Sequence, residues 1–118
     1  MSEPVPGAAP GPEDVKIITL ARSARARVAA AEGAAVRDET GRTYVASAVA
    51  LPTLQLSALR LAVAMAVSSG ATSLEAAALV SEADQPDPAD VAVVRDLGPG
   101  AVVFHAGPDG AVRLTLLP

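Results

Sequence analysis

The stretch that decides the fold is Leu54–Gly70, LQLSALRLAVAMAVSSG. Before its terminal serines, the clearly polar residues are Gln55, Ser57 and Arg60, so apolar side chains cover most of the helix that this composition favours. Such a helix is buried on more than one side. It is too short to cross a bilayer, which takes roughly 20 apolar residues, and Gly70 is a natural C-terminal stop. The stretch therefore predicts a central core helix, with a sheet on one side and a second layer or a partner subunit on the other.

A β-hairpin is predicted just before this helix. Gly33–Arg37 is a short apolar strand, Asp38–Gly41 has turn composition, and Arg42–Val49 is the returning strand. Thr53 then has the side chain of a helix N-cap, which fits a central helix that begins at Leu54.

The N-terminal part divides into a tail and a helix. Residues 1–11 are rich in Pro, Gly and Ala and are predicted to be a disordered tail, because they can bury little apolar surface. Pro12–Ala30 reads as an amphipathic helix with a first-turn proline. Residues 12–118 are then a single domain, as the length of the chain suggests.

The C-terminal half adds strands around one further helix. Thr72–Ser81 has helical composition but the length and place of a buried strand, and we predict a strand near Ala76–Ser81. A short helix opens at Asp87 or Pro88 and ends at Leu97, and Ala101–Ala106 and Ala111–Leu116 are the last two strands. This alternation predicts an α/β fold in which helices cover both faces of a mixed five-stranded sheet.

Composition excludes several classes of function. The net charge is −4 and no basic block is present, which argues against nucleic-acid binding. The chain has no cysteine, so disulfides, thiolate zinc sites and cysteine nucleophiles are excluded. No signal peptide or membrane span is visible, and we expect a bacterial cytoplasmic protein. With only 2% aromatic residues the core is built from Ala, Val and Leu, which favours oligomerisation to cover exposed apolar area.

Three stretches in this order resemble the small, homotetrameric-type bacterial cytidine deaminases. They are EGAAVRDETGRTY (32–44), SALRLAVAMAVSSG (57–70) and VVRDLGPGAVVFHAGPDG (93–110). The resemblance runs from about Val15 to Pro118. It implies a three-layer α/β/α fold and a tetramer built around the central helices.

The resemblance also implies where a zinc site would lie. In the family, the central helix begins with a zinc-ligand Cys, then Ala, the catalytic Glu and Arg. Those positions are Ser57, Ala58, Leu59 and Arg60 here. The two other zinc cysteines of the family fall on Asp87 and Asp90.

The family residues that grip the substrate are also replaced. The family's Asn and Glu at the end of the second hairpin strand fall near Ala48 and Ala50, so no substrate-binding residue is assigned. Zinc deaminases activate water on the metal and move its proton with the Glu. Ser57 is a poor zinc ligand, and Leu59 carries no proton. Two carboxylates suit magnesium or calcium better than a buried catalytic zinc. We therefore expect neither catalysis nor a cofactor.

The polar residues at these positions also have a purely structural interpretation. Ser57, Arg60, Asp87 and Asp90 form a possible structural polar cluster. In it Ser57 bonds to a helix carbonyl or to Arg60, the aspartates lie at a helix N-terminus, and Arg60 pairs with one of them. Leu59 would then fill the former pocket.

Three functional hypotheses follow. The first is a non-catalytic binding or scaffold protein, which forms a homo-oligomer (dimer or tetramer) through Leu54–Gly70. The second is an active cytidine or nucleoside deaminase that holds zinc with Asp87, Asp90 and an unrecognised third ligand. The third is a pocket that binds a nucleoside or another small molecule without reacting. The only histidine, His105, lies on an apolar strand and is read as a strand residue rather than a metal ligand.

Overall fold

A computed structural model describes residues 3–5 and 10–118. Within these residues a six-stranded sheet has the strand order β1-β8-β7-β6-β2-β3, with β4 and β5 as a separate two-stranded sheet. The helices are α1 (Pro12–Arg27), α2 (Ala58–Ser68) and α3 (Pro88–Leu97). The strands are β1 (Glu3–Val5), β2 (Glu32–Asp38), β3 (Thr43–Ser47), β4 (Val49–Leu51), β5 (Leu54–Leu56), β6 (Leu74–Ser81), β7 (Val102–Ala106) and β8 (Val112–Leu117).

The sheet is mixed, because β6 and β7 run parallel and the other neighbouring strands run antiparallel. The five predicted strands are all present in it, and β1 adds a sixth at the edge of β8. Helices cover both faces: α1 packs on one, and α2 and α3 lie on the other. The predicted three-layer α/β/α fold is therefore confirmed.

The ambiguous segment Thr72–Ser81 is a strand, as predicted. Every residue of β6 except Glu75 is buried, because α1 covers one face of this strand and α2 covers the other. A strand buried on both faces carries a continuous apolar run rather than an alternating pattern, which is why the sequence was ambiguous here.

The contact between α1 and the sheet depends on Gly33 of β2. A Cβ atom at this position would overlap the Ala21 carbonyl oxygen of α1 and lie 2.7 Å from the Arg25 backbone nitrogen. Ser47 of β3 supports the same contact, because its Oγ donates a hydrogen bond of 2.8 Å to the Ala24 carbonyl. The small residues on both sides let the helix lie unusually near the strand.

The predicted start of the central helix is wrong. Leu54–Leu56 is a strand that pairs with Val49–Leu51, so the segment after β3 forms a second hairpin before the helix begins at Ala58. Ser57 is the N-cap, and Thr53 lies in the hairpin turn. Apolar residues at 54 and 56 suit either element, and the pairing with Val49–Leu51 decides for the strand.

The central helix was predicted to pack on a sheet and on a second layer or a partner subunit, and in the single chain it contacts β2, β3 and α3. Its inner face is buried in the core, but Met65 and Val67 on the outer face are 37% and 53% exposed. The hairpin tip adds Leu51 and Leu54, which are 54% and 47% exposed. The chain thus presents large apolar side chains to solvent beside its central helix.

The tail predicted for residues 1–11 lies only in part within the described residues. Glu3–Val5 pairs antiparallel with Thr115–Leu117 of β8, because the edge of β8 offers unpaired backbone groups. Gly11 is the N-cap of α1. Residues 1, 2 and 6–9 lie outside the described part of the chain. In that described part, no helix is both long and apolar enough to span a bilayer.

Candidate functional site

An open cleft of about 510 Å³ lies where β2 begins and the N-termini of α2 and α3 meet. One wall is apolar and comes from the second hairpin, with Ala48, Val49, Ala50 and Leu56. The polar side chains that line the cleft are Glu32, Gln55, Ser57, Arg60, Asp87 and Asp90. These polar residues come from three segments far apart in the sequence, which are the start of β2, the passage from β5 into α2, and the start of α3. A cleft with converging polar groups is the usual form of a ligand site.

An ion pair between Arg60 and Asp90 crosses from α2 to α3. The Arg60 Nε donates to the Asp90 Oδ1 at 2.8 Å, and the Asp90 side chain is only 7% exposed while that of Arg60 is 46% exposed. A buried carboxylate without a partner would be strongly unfavourable, and the guanidinium of Arg60 is that partner. The predicted pairing of Arg60 with one of the two aspartates is present.

Ser57 and Asp87 each cap the helix that follows them. The Ser57 Oγ accepts a hydrogen bond from the Arg60 backbone N–H at 3.2 Å, and the Asp87 Oδ1 accepts from the Ala89 N–H at 2.9 Å. These bonds satisfy N–H groups that have no partner within a helix. Both aspartates lie at the N-terminus of α3, where negative charge is favourable, as predicted.

Glu32 is a cleft residue that sequence reasoning missed. Its Oε1 accepts a hydrogen bond of 3.1 Å from the backbone N–H of Ala58, the first residue of α2. This bond joins the start of β2 to the start of α2, across 26 positions of sequence. An acidic residue directly before a predicted strand was the available signal, but nothing local connects it with a helix so far along the chain.

Leu59 lies on the inner side of α2, away from the cleft lining. Its side chain is fully buried in the core with Val36 and Val63. The helical rotation of about 100° per residue separates it from Arg60, which faces the cleft. Leu59 is thus a core residue in this chain.

His105 lies outside the cleft lining and is fully buried on β7. Its Nε2 is 2.9 Å from the Ser81 Oγ, while its Nδ1 has no hydrogen-bond partner among the described residues. Burial, aided by the positive charge of Arg113, lowers the pKa of His105 below its usual 6.5, and the nearby Asp84 opposes the shift in part. The ring is therefore held neutral.

The polar residues of the cleft do not fit a zinc ion. In the residues that the structure describes, no three His, Cys, Asp or Glu side chains are grouped so that they could hold a metal. The Asp90 carboxylate faces the fixed positive charge of Arg60, and Ser57 offers a neutral hydroxyl that already accepts a hydrogen bond. A catalytic zinc takes three protein ligands such as imidazole, thiolate or carboxylate.

Comparison with known proteins identifies the fold family. The family described as cytidine deaminase-like matches residues 10–110. No curated protein matches the chain by sequence. Among solved structures, the cytidine deaminase from Burkholderia pseudomallei is 26% identical, with a TM-score of 0.73, and the match covers 84% of this chain and 88% of that one.

Two mycobacterial structures share the fold at lower identity. The cytidine deaminase from Mycobacterium tuberculosis is 24% identical, with a TM-score of 0.65 and coverage of 76% of this chain and 82% of that one. The enzyme from Mycobacterium leprae is 18% identical, with a TM-score of 0.67 and coverage of 89% and 94%. Because the family match extends over most of its length, the chain belongs to the cytidine deaminase-like family.

Proposed function

We propose that this cytidine deaminase-like domain has lost zinc binding and deamination and acts as a non-catalytic binding or scaffold protein in the cytoplasm. The observation that carries the proposal is the Arg60–Asp90 ion pair of 2.8 Å. It engages one of the three positions at which the family would keep a zinc ligand. The other two positions, Ser57 and Asp87, serve as helix N-caps.

The position of the proton carrier supports the same proposal. Zinc would supply a hydroxide ion near neutral pH, and a carboxylate would then have to carry the proton. Leu59 stands at that position, is apolar, and is fully buried. General acid–base catalysis contributes about 10²–10⁴ to a rate, and without it and the metal no step of the deamination is supported.

Zinc content and turnover, measured on the same preparation, test the proposal. We expect untagged protein to hold far less than one zinc per chain by elemental mass spectrometry and to release no ammonia from cytidine. The matched positive control is the triple variant Ser57→Cys, Asp87→Cys, Asp90→Cys, which restores three thiolates and should gain zinc. Stoichiometric zinc in the natural chain, with ammonia release that a chelator abolishes, would establish the alternative of an active deaminase.

The scaffold part of the proposal rests on the exposed apolar residues beside α2. Met65 and Val67 lie on its outer face, and contiguous apolar surface of this kind is commonly covered by a second subunit. We expect a dimer or tetramer by light scattering, and Met65→Lys with Val67→Lys should dissociate it. Val28, the C-cap of α1 on the opposite layer, is 58% exposed, so Val28→Lys is the control that leaves the mass unchanged. A monomeric natural chain would contradict this part.

The cleft favours a second candidate, a pocket that binds a nucleoside or another small molecule without reaction. Its volume of about 510 Å³ and its converging polar groups are of the kind that small ligands occupy. A ligand that binds the native state raises the melting temperature, by the equivalent of about 2.7 kcal/mol at one hundred times its Kd. Ala50→Trp would fill the cleft and abolish the shift. No shift with any nucleoside of a panel would exclude nucleosides as the ligand.

A further inference from the structure

We propose that the Arg60–Asp90 ion pair fastens the N-terminus of α2 to that of α3, the role that a metal ion shared by both helices would have. The inference rests on the proposed loss of zinc. It goes further because it assigns Arg60 and Asp90 the function of holding two helices together. The two residues are 30 positions apart in the sequence, so the pair is a tertiary contact and not a helix-surface pair.

The geometry of the pair suits this role. A charge-assisted hydrogen bond of 2.8 Å with one partner buried is short and strong compared with an exposed pair. The pair Lys16–Glu13 on α1 shows the contrast. Its atoms are 3.9 Å apart, its side chains are 64% and 70% exposed, and pairs of this kind contribute almost nothing to stability.

The packing of α3 explains why its N-terminal end needs a stabilising contact with α2. α3 packs mainly against α2, through Val91 and Val94 on Leu59 and its neighbours, so its place depends on α2. At its C-terminal end, Gly98 packs closely on Leu74, and the Arg95 Nη2 donates to the Leu116 and Leu117 carbonyls at 3.3 Å. At its N-terminal end, the ion pair is the side-chain hydrogen bond that joins α3 to α2 in the described residues, beside the apolar packing of Val91.

Both helix N-termini carry partial positive charge, and bringing them together requires negative charge nearby. Asp90 supplies it for α3, and the Glu32 carboxylate supplies it for α2 through its bond of 3.1 Å to the Ala58 N–H. Arg60 then balances Asp90 within the same cleft. The arrangement is complete without a metal, so the free energy of unfolding should be independent of added metal or chelator.

A double-mutant cycle tests the fastening. The variants are Arg60→Gln, Asp90→Asn and the two combined, compared by urea unfolding of the full chain. We expect each single change to raise the unfolding equilibrium constant about tenfold and the double variant to match the more severe single one, which is the signature of coupled residues. In the control cycle, Lys16→Gln and Glu13→Gln should each change the constant less than about twofold.

Hydrogen exchange locates the effect and keeps the test valid if Asp90→Asn fails to fold. In Arg60→Gln, the Val91 amide, which donates to the Asp87 carbonyl at 3.2 Å, should exchange about tenfold faster. The Gly98 amide, which donates to the Val94 carbonyl at 2.8 Å at the other end of α3, should keep its rate.

The outcomes separate this inference from the proposed function. Additive effects in the cycle, or unchanged exchange at Val91, would overturn the fastening even if the protein is free of zinc. A urea midpoint that falls on adding a chelator would show a structural metal and would overturn both proposals. An unchanged midpoint with chelator, together with coupling in the cycle, is the expected result.

Discussion

The two ends of β2 are both acidic, yet they are built differently. At the C-terminal end, the Asp38 carboxylate is 2% exposed and accepts four hydrogen bonds of 2.7–3.0 Å from Thr40, Arg42 and Tyr44. At the N-terminal end, the Glu32 carboxylate accepts one hydrogen bond among the described residues, from the Ala58 N–H, and lines an open cleft. One end is closed by its own turn, and the other is assembled from distant segments.

This difference shows where a functional site can arise in the molecule. The partners of Asp38 lie within six positions of it in the sequence, so the turn satisfies the carboxylate and leaves nothing for a ligand. At the cleft end the carboxylates lie at helix N-termini, and Glu32 and Asp87 stay partly or fully open to solvent whereas Asp90 is buried. Hydrogen-bonding groups that are not fully used are what a binding site requires.

The largest effect is expected from the glycines near the two ends of β2. Gly33→Ala at the cleft end should cost about 3 kcal/mol or more in the free energy of unfolding, because the added Cβ meets the Ala21 carbonyl of α1. Gly41→Ala in the closing turn should cost about 1 kcal/mol, because a Cβ there meets no atom within 4 Å but φ is +87°. Urea unfolding measures both, and equal losses would contradict the close approach at Gly33.

The second largest effect is expected when one acidic residue near each end of β2, Asp38 or Asp87, is replaced by alanine. Asp38→Ala should lower the free energy of unfolding by about 3 kcal/mol, since four donors lose a buried acceptor. Asp87→Ala at the cleft end should cost about 1 kcal/mol, the usual value of an N-cap. Chemical denaturation at neutral pH gives both numbers. A larger loss of unfolding free energy in Asp87→Ala than in Asp38→Ala would show that the hydrogen bonds of Asp38 contribute less to stability than the N-cap does.

Acid should weaken the closed end in a defined range. Burial would raise the pKa of Asp38, but hydrogen bonds, first those from Thr40 and Tyr44, lower it from 3.8 to about 2. Because the folded-state pKa lies below the unfolded one, the carboxylate stabilises the fold fully above about pH 4 and loses this effect as the pH falls to about 2. Melting temperatures across this range should fall less steeply in Asp38→Asn than in the natural chain. Parallel curves would refute the assignment.

The smallest effect is expected from His105, which lies under the cleft end beside Ser81. Burial lowers its pKa below 6.5, so the unfolded chain takes up the proton first. Stability is then complete above about pH 6.5 and declines as the pH falls toward the folded-state pKa, by at most about 1.4 kcal/mol per pH unit. His105→Gln should remove this slope between pH 6.5 and 5. The same slope in both proteins would show that another group is responsible.

Local signals were sufficient for most of the fold. The Asp38–Gly41 turn, the β6 strand and the α3 helix follow from turn residues, apolar runs and proline breaks, and each was predicted near its observed bounds. The start of α2 was not, because Leu54 and Leu56 fit a strand as well as a helix. Pairing with Val49–Leu51 decides between them, and no local pattern reports such a contact.

The parts of the candidate site that depend on residues close in the sequence were predictable. The parts that depend on tertiary contacts were not. Asp87 and Ser57 cap the helices that they precede, and the sequence places Ser57, Asp87 and Asp90 by the family resemblance. Arg60 was expected to pair with Asp87 or Asp90, because an arginine in the protein interior requires an acidic or carbonyl partner. The bond from Ala58 to Glu32 joins segments that meet only after the sheet has formed, so the sequence offers no measure of their distance.

The alanines of the central strands set a limit on how this domain can change. Ala35, Ala76 and Ala78 lie fully or almost fully buried beneath α1, and Ala77 lies on the other face. Such short side chains bring the layers so near to each other that a single larger residue would push an entire helix outward. New binding properties are therefore most readily acquired at the rim, by altering the second hairpin and the first turns of α2 and α3, while the interior stays nearly fixed in volume.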